Sequence, residues 1–480
     1  MLAERRPAAS RAPRPGRVLA TVTAAQVLSV ASATVVGVAL PSLGADLHAA
    51  GTELQWVVDA FVLVFASLLV AGGVVGDRRG RRTAFLAGLV LFAAGSLWCA
   101  LAPSVGWLLA GRVVQALGPP LVLPASLAIV TTTYTSPMAR ARAIGLWGAG
   151  SGLGLALGPV LGGLIVTGLG WRWVFGANVP ICLVLIALAV RGIPRDRPPP
   201  PEHRFDGAAA LLLTGSVALL TFGVIEGREL GWRSGTVLGV FAAAVLLGAA
   251  FARREAHHPA PLVDLALLRH RAFLAANLGA ATLYGCLTGL AVYFSVFFQQ
   301  VQGRSALEAG LCLLPQGVFV AVSAPLAGRL TARHGPRPPV LAGMAITAAA
   351  VLCLLRLEPD TSFAQMWWAF ALLGLGTGLA LPPMTVTAIS SVRDRDAGMA
   401  SAIHNASRQL GQTFGVAVLG TIILGRAGDG AQSGALTGTL AAAWVSGLHA
   451  ALVVAAATLV LAAVAITALV PRTVPSRADR

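Results

Sequence analysis

The sequence predicts an all-α integral membrane protein with fourteen membrane-spanning helices. Three observations predict it: a composition poor in charge, fourteen apolar stretches of spanning length, and an arginine distribution that alternates along the chain. The 480 residues are 56% hydrophobic and 11% charged, with a mean hydropathy of +0.78. A soluble domain devotes about a quarter of its residues to charge. In such a chain a formal net charge of +16 and a pI near 11.4 report orientation in a bilayer facing anionic lipid rather than affinity for nucleic acid.

Crossing a hydrocarbon core takes about 20 apolar residues in a helix. Stretches of that kind lie at 18–42, 54–75, 83–103, 105–133, 142–167 and 171–191, and then at 207–226 and 234–252. Six more follow at 272–300, 307–331, 338–356, 365–390, 398–425 and 445–471. Arg5, Arg6, Arg11, Arg14 and Arg17 precede the first stretch, as they would a signal peptide. That apolar run is too long for a signal core and more spans follow, so it is read as a retained first helix. With the N-terminus inside, 27 of the 35 arginines fall in cytoplasmic segments, which satisfies the positive-inside rule at every cytoplasmic loop. Trp56, Trp107, Trp171, Trp173, Trp232, Trp367, Trp368 and Trp444 fall at the predicted outer ends, where an aromatic belt belongs. The expected setting is a bacterial cytoplasmic membrane, with both termini in the cytoplasm.

The longest polar breaks, Arg195 to Arg204 and Arg253 to Arg271, flank the seventh and eighth spans. The expected organisation is a six-helix bundle over 1–192 and an extra helix pair with its linkers over 193–271. A second six-helix bundle covers 272–471, and a cytoplasmic tail covers 472–480. An internal repeat supports this division. Gly73, Gly80 and Arg82 after the second span match Gly328, Gly335 and Arg337 after the tenth at a constant offset of 255, and Gly118 and Pro124 match Gly376 and Pro382 at 258. Two related halves around a central path is a transporter plan.

Several function classes are excluded. The chain contains no lysine, so it has no phosphate-binding loop ending Gly-Lys-Ser/Thr, which argues against ATP-driven pumping. Cys99, Cys182, Cys286, Cys312 and Cys353 stand singly in apolar stretches without metal-ligand spacing, and read as small core residues. There is no His-Glu-x-x-His motif and no Ser/His/Asp set at one membrane depth, which argues against an enzyme. No cofactor or metal is expected.

The motifs are more specific. Gly73-Val-Val-Gly76-Asp77-Arg78-Arg79-Gly80-Arg81-Arg82 joins the second and third spans. Its glycines let helix ends approach, and Asp77 with Arg78, Arg81 and Arg82 can exchange charge-assisted bonds between halves and latch one conformation. The bland alternative is a plain positive-inside loop. In the fourth span, Arg112-Val-Val-Gln115-Ala-Leu-Gly118 places a charge where it must be paired or hydrated, either to tune an acid or bind cargo, or to satisfy backbone carbonyls. The fifth span holds Gly154-Leu-Ala-Leu-Gly158-Pro159-Val-Leu-Gly162-Gly163, small residues four apart with a proline bend.

These motifs resemble those of the major facilitator superfamily, and the fifth-span motif is similar to the one that marks its exporters. Ala39-Leu40-Pro41, Gln55-Trp56-Val-Val-Asp59, Trp171-Arg172-Trp173 with Asn178 and Pro180, and Asn405-Ala-Ser-Arg408-Gln409-Leu-Gly411 extend the resemblance to the fourteen-helix drug:proton antiporters over essentially the whole chain. The resemblance implies two six-helix bundles plus two extra central helices, and alternating access. It also implies export of a small amphipathic drug or antibiotic, driven by the proton gradient without a cofactor, with the protein a monomer. An exported endogenous metabolite is the alternative, followed by nutrient uptake or a membrane enzyme or receptor.

Many relatives carry an acid in the first span, where Ser32 stands here, with Gly37 in place of an Asn. Proton coupling then falls to Asp59, Arg112 and Glu226, with Asp59 foremost; the other reading of Asp59 is a water-exposed residue near the outer interface. Glu308 is a further acid and His404 is left unassigned. Gln115, Tyr293, Gln299, Gln300, Asn405, Arg408 and Gln409 either line the central path or pack helices. The sparse charge predicts a largely apolar cavity and a neutral or cationic cargo.

Overall fold

The computed structural model describes residues 15–49, 51–195, 206–227, 230–258, 267, 269–392, 397–427, 436 and 438–469, and the side chains of Pro41, Thr52, Gln55, Leu155, Ala156, Pro159, Ala306 and Ala427 lie outside that description. The described residues form helices and their connections, with no strand among them. The first six predicted stretches become α1 (Pro15–Leu47), α2 (Gly51–Arg79), α3 (Arg81–Ala100), α4 (Val105–Ala116), α5 (Pro119–Thr133), α6 (Pro137–Leu169), α7 (Arg172–Gly176) and α8 (Asn178–Gly192). The extra pair is α9 (Gly207–Glu226) and α10 (Gly235–His257). The remainder is α11 (Arg271–Val296), α12 (Ala306–His334), α13 (Arg337–Cys353), α14 (Phe363–Ser390), α15 (Ala397–Ala427) and α16 (Gly438–Leu469).

The fourth stretch is broken because Pro119 and Pro120 bring no amide hydrogen to extend α4 and are suited instead to a helical first turn. Among the described residues twelve helical stretches are long and apolar enough to cross a membrane. The helices α6 and α15, at 33 and 31 residues, are not among those twelve; α15 carries His404, Asn405, Arg408 and Gln409 within little more than one turn.

The repeat read from the sequence has a backbone counterpart. Gly80 joins α2 to α3 with φ 106°, and Gly335 joins α12 to α13 with φ 81°. Both values lie where L side chains are disfavoured, so glycine allows two antiparallel helices to meet over one residue at Gly80 and over two, Gly335 and Pro336, in the second copy. One core cluster draws only on the chain from Ala275 to Ile466, while two others draw mainly on residues before 194.

The two halves meet along two seams, α6 against α12 and α2 against α15. Since the repeat pairs α2 with α12, the seams are the two copies of one arrangement. The α9–α10 hairpin lies over the second seam. Ala209, Ala210 and Phe251 share a cluster with Leu69, Val70 and Val74 of α2 and with Met399 and Ala406 of α15, and Phe222 meets Trp56 at 6.1 Å.

Apolar side chains such as Leu211, Leu246 and Leu461 cover the outside, as a lipid solvent requires. Trp107, Trp173, Trp367 and Trp368 are exposed as a belt would have them, but Trp171 and Trp444 are buried. Trp444 stacks on Phe297 inside the second half. Glu308 is a helix cap: its Oε2 accepts from the Ser305 amide at 2.8 Å while the Ser305 hydroxyl accepts from the Glu308 amide.

The hairpin is tied at its basic end by Asp206. Its carboxylate accepts from Arg254 Nε at 2.8 Å and from the Ala209 amide at 3.0 Å, and His258 Nε2 stands 3.6 Å away. The Arg254 hydrogen bond, followed by the α9 amide, holds the carboxyl at about 2 against an ordinary 3.8. A lowered folded-state value stabilises the fold above the unfolded value and ceases to do so as pH falls through the folded one. Asp206→Asn is therefore expected to raise amide exchange in the first turn of α9 about fivefold at pH 7, the equivalent of about 1 kcal/mol for a cap with a partly solvated ion pair. The difference from the parent should close between pH 4 and pH 2; hydrogen exchange followed by mass spectrometry measures it.

Candidate functional site

The loop motif fastens one half to the other at the arginine-rich end. Asp77 Oδ2 accepts from the Met399 amide at 2.7 Å, in the first turn of α15, where amides lack carbonyl partners and the helix dipole favours an anion. Asp77 Oδ1 lies 3.4 Å from Arg81 NH2. Arg82 NH2 donates to the Val190 carbonyl at 2.8 Å, fixing the start of α3 to the end of α8. Arg78 is half-buried on the same turn. Beside Gly73, Gly72 makes a close approach: a β-carbon there would stand 2.6 Å from the Pro120 carbonyl carbon.

Arg112 and Gln115 anchor a buried polar chain through five helices. Arg112 Nε donates to the Val57 carbonyl at 2.8 Å and NH1 donates to Gln115 Oε1 at 2.7 Å. Gln115 Nε2 donates to Ser96 Oγ at 2.7 Å, Asn178 Nδ2 reaches the same oxygen at 3.4 Å, and Ser32 Oγ donates to Asn178 Oδ1 at 3.2 Å. The guanidinium lies 4.3 Å over the Phe61 ring. Arg112 is 1% exposed, and among the described residues its partners are neutral. Ser32, standing where an acid was expected, thus belongs to the same network as Arg112. Ser96 and the network role of Asn178 were not legible in the sequence, because serine and asparagine carry no signal until folding joins them.

Asp59 is half-buried on α2, close in sequence to the Val57 carbonyl that holds Arg112. Glu226 ends α9, on the hairpin outside the Arg112 network. Arg112 packs on the face of α2 that carries Val57 and Phe61; Asp59, two residues or about 200° of helix from each, leaves α2 on another face, and Glu226 stands on a different helix.

The glycines of α6 serve two neighbours. A β-carbon at Gly154 would lie 2.8 Å from Val30 Cβ, one at Gly162 would lie 2.7 Å from Val35 Cγ2, and one at Gly158 would collide with Thr34 Oγ1, so this stripe packs on α1. Gly163 faces Leu307 of α12 at 3.1 Å. Pro159 completes the motif in sequence.

In the second half, Asn405 and Arg408 come together. Arg408 NH1 donates to Asn405 Oδ1 at 3.2 Å, NH2 donates to the Tyr284 hydroxyl, and the guanidinium stacks 4.0 Å from the Tyr284 ring centre. Gln409 is buried beside them on α15. His404 is buried between Thr385 Oγ1 at 3.0 Å and Asn277 Oδ1 at 3.1 Å, a helix-joining position. Tyr293 donates to the Val416 carbonyl at 3.1 Å, tying α11 to α15 within one half. Gln299 bonds locally to Ser295 Oγ at 2.9 Å, and Gln300 accepts the Leu436 amide at 2.8 Å through its carbonyl; both sit in the wide turn that ends α11, away from Arg408. Tyr284 was missed: one tyrosine in an apolar helix gives no hint of an arginine 124 residues away.

The sequence pattern of the Major Facilitator Superfamily matches residues 22–416. The chain is 36% identical over 428 residues to the puromycin resistance protein of Streptomyces alboniger, covering 87% of this chain and 84% of that protein. It is 33% identical over 423 residues to the tetracenomycin C resistance and export protein of Streptomyces glaucescens, covering 88% and 78%. The fold is similar to that of the human organic anion transporter MFSD10, with a TM-score of 0.67, 17% identity, and coverage of 95% of this chain and 100% of that one. With its helices, its paired seams and its loop motif in place, the chain belongs to the Major Facilitator Superfamily and is a membrane transporter rather than an enzyme.

Proposed function

We propose that the chain exports small amphipathic organic molecules in exchange for protons, by alternating access of two six-helix halves carrying an extra helix pair, fourteen spanning helices in all. The observation that carries the reading is similarity over most of the chain to proteins named for antibiotic resistance and export. The Asp77 cap on α15 supports alternating access, since it joins the halves through one helix terminus and breaks when they part. The arginine-rich end is then the cytoplasmic one, closed here, in a bacterial cytoplasmic membrane with both termini inside. No cofactor is needed and a monomer suffices. At about 2.3 kcal/mol per charge per 100 mV, one or two inward protons drive a useful gradient of neutral cargo.

Asp59 carries the proton in this reading, loading and releasing it as Arg112 and water alternate in reach. In energised inverted vesicles, dye uptake should collapse with a protonophore and fall at least tenfold in Asp59→Asn. Uptake that survives both treatments removes proton coupling from the mechanism.

A further inference from the structure

Between the halves, α6, α11, α12, α14 and α15 enclose a cavity of about 20 Å³, room for one water. Its walls come from both halves, so it widens as they rock apart. Ser151 and Trp147 of α6 face Tyr284, Thr385 and Arg408 across it, and the rest of the lining is apolar or glycine. Among the described residues Arg408 is the one guanidinium of this lining, and no carboxylate shares the walls.

The state of that cation is unusual. Its side-chain hydrogen bonds go to an amide and a phenol, both neutral, and among the described residues its buried Nε has no acceptor. A partly buried guanidinium met by neutral partners keeps its attraction for an anion, and keeps an N–H to offer one. Opposite, Ser151 Oγ accepts Gln26 Nε2 at 2.8 Å. Gln26 Oε1, on the same amide, is buried without a partner among the described residues. The donor left to offer on these walls is therefore the guanidinium. An organic cation placed there would meet a like charge with no counter-ion in the walls.

We propose that this cavity selects cargo bearing an ionised acidic group, a carboxylate or phenolate that pairs with Arg408 while the apolar body lies against Trp147 and its neighbours. The assignment rests on the exporter reading above and replaces the expectation of neutral or cationic cargo.

Fluorescein and rhodamine 123 share a tricyclic frame and differ in charge. Binding of each to the purified full-length protein in nanodiscs, read by fluorescence anisotropy, should favour fluorescein at least tenfold. Arg408→Gln should weaken fluorescein binding about tenfold or more, the size of a lost charge-assisted bond, without weakening rhodamine 123. Arg408→Lys, which retains the charge, should retain the preference; it carries the test if Arg408→Gln does not fold. Equal or tighter binding of rhodamine 123, binding of neither dye, or fluorescein binding indifferent to Arg408→Gln overturns the assignment. Protonophore-sensitive export of rhodamine 123 without a fluorescein preference overturns it and leaves the exporter reading standing. Fluorescein binding that needs Arg408, with no energised transport, does the reverse.

Discussion

A valine at position 328 is expected to hold the arginine-rich end of the molecule open. A β-carbon on Gly328 of α12 would stand 2.6 Å from the Ala141 carbonyl oxygen of α6 and 3.3 Å from the Gly145 α-carbon. From the other side, a β-carbon on Gly145 would be 2.8 Å from the Ala324 carbonyl. Backbone lies on both sides, so no side chain can swing away to make room. Overpacking costs about 1–3 kcal/mol where structure can shift, and here the available shift is separation of the halves. At about 1.4 kcal/mol per tenfold, the closed form should lose roughly one to two orders of magnitude in population. In a cysteine-free background, a cysteine at Ser151 should react with an impermeant maleimide in inverted vesicles at least ten times faster with Gly328→Val than without it. An unchanged rate in folded protein would refute the close crossing as the element that keeps this end shut.

The second large effect is at Arg112. Arg112→Leu keeps bulk against Phe61 but strips donors from the Val57 carbonyl and Gln115 Oε1, both inside the first half. The Val57 carbonyl keeps its bond within α2, but Gln115 Oε1 is left buried and unmet at a cost of roughly 1–3 kcal/mol, and the loss passes on to Ser96, Asn178 and Ser32, which depend on Gln115 for their arrangement. The expected result is a marked fall in melting temperature of the solubilised protein together with loss of transport. Arg112→Lys should recover only part of the stability, since an ammonium lacks the planar fork that serves both acceptors. A leucine variant as stable as the parent would mean that these acceptors find water instead.

Much of the fold could be read from the chain because its determinants are local or periodic. Apolar length marks a span, and Gly80 and Gly335 mark the same turn twice at one offset. The latch was legible in part: Asp77 was singled out with its arginines, yet its partner is the Met399 amide, and a backbone group has no letter in the sequence. The buried chain from Ser32 to Arg112 was legible only at the arginine, whose cost in lipid draws notice; the rest are small polar residues common in helices. Tyr293 and Gln299 looked equally suited to line a path, but one ties α11 to α15 and the other bonds within its own turn. Which side of a helix faces the axis depends on tilt and rotation set by neighbours, and apolar periodicity is weak when lipid and protein core are alike in polarity.

The hairpin has a mechanical consequence. At about 1.5 Å per residue, α9 with 20 residues is about 30 Å long, the thickness of a bilayer core. By the same measure α1 and α6, at 33 residues each, have ample length to spare. Long rods can lean without drawing their ends into hydrocarbon; α9 cannot. Set across the α2–α15 seam and clamped at Asp206, it is a strut of fixed height beside helices free to incline. A change in membrane thickness at this seam therefore meets a rod that cannot answer it by leaning.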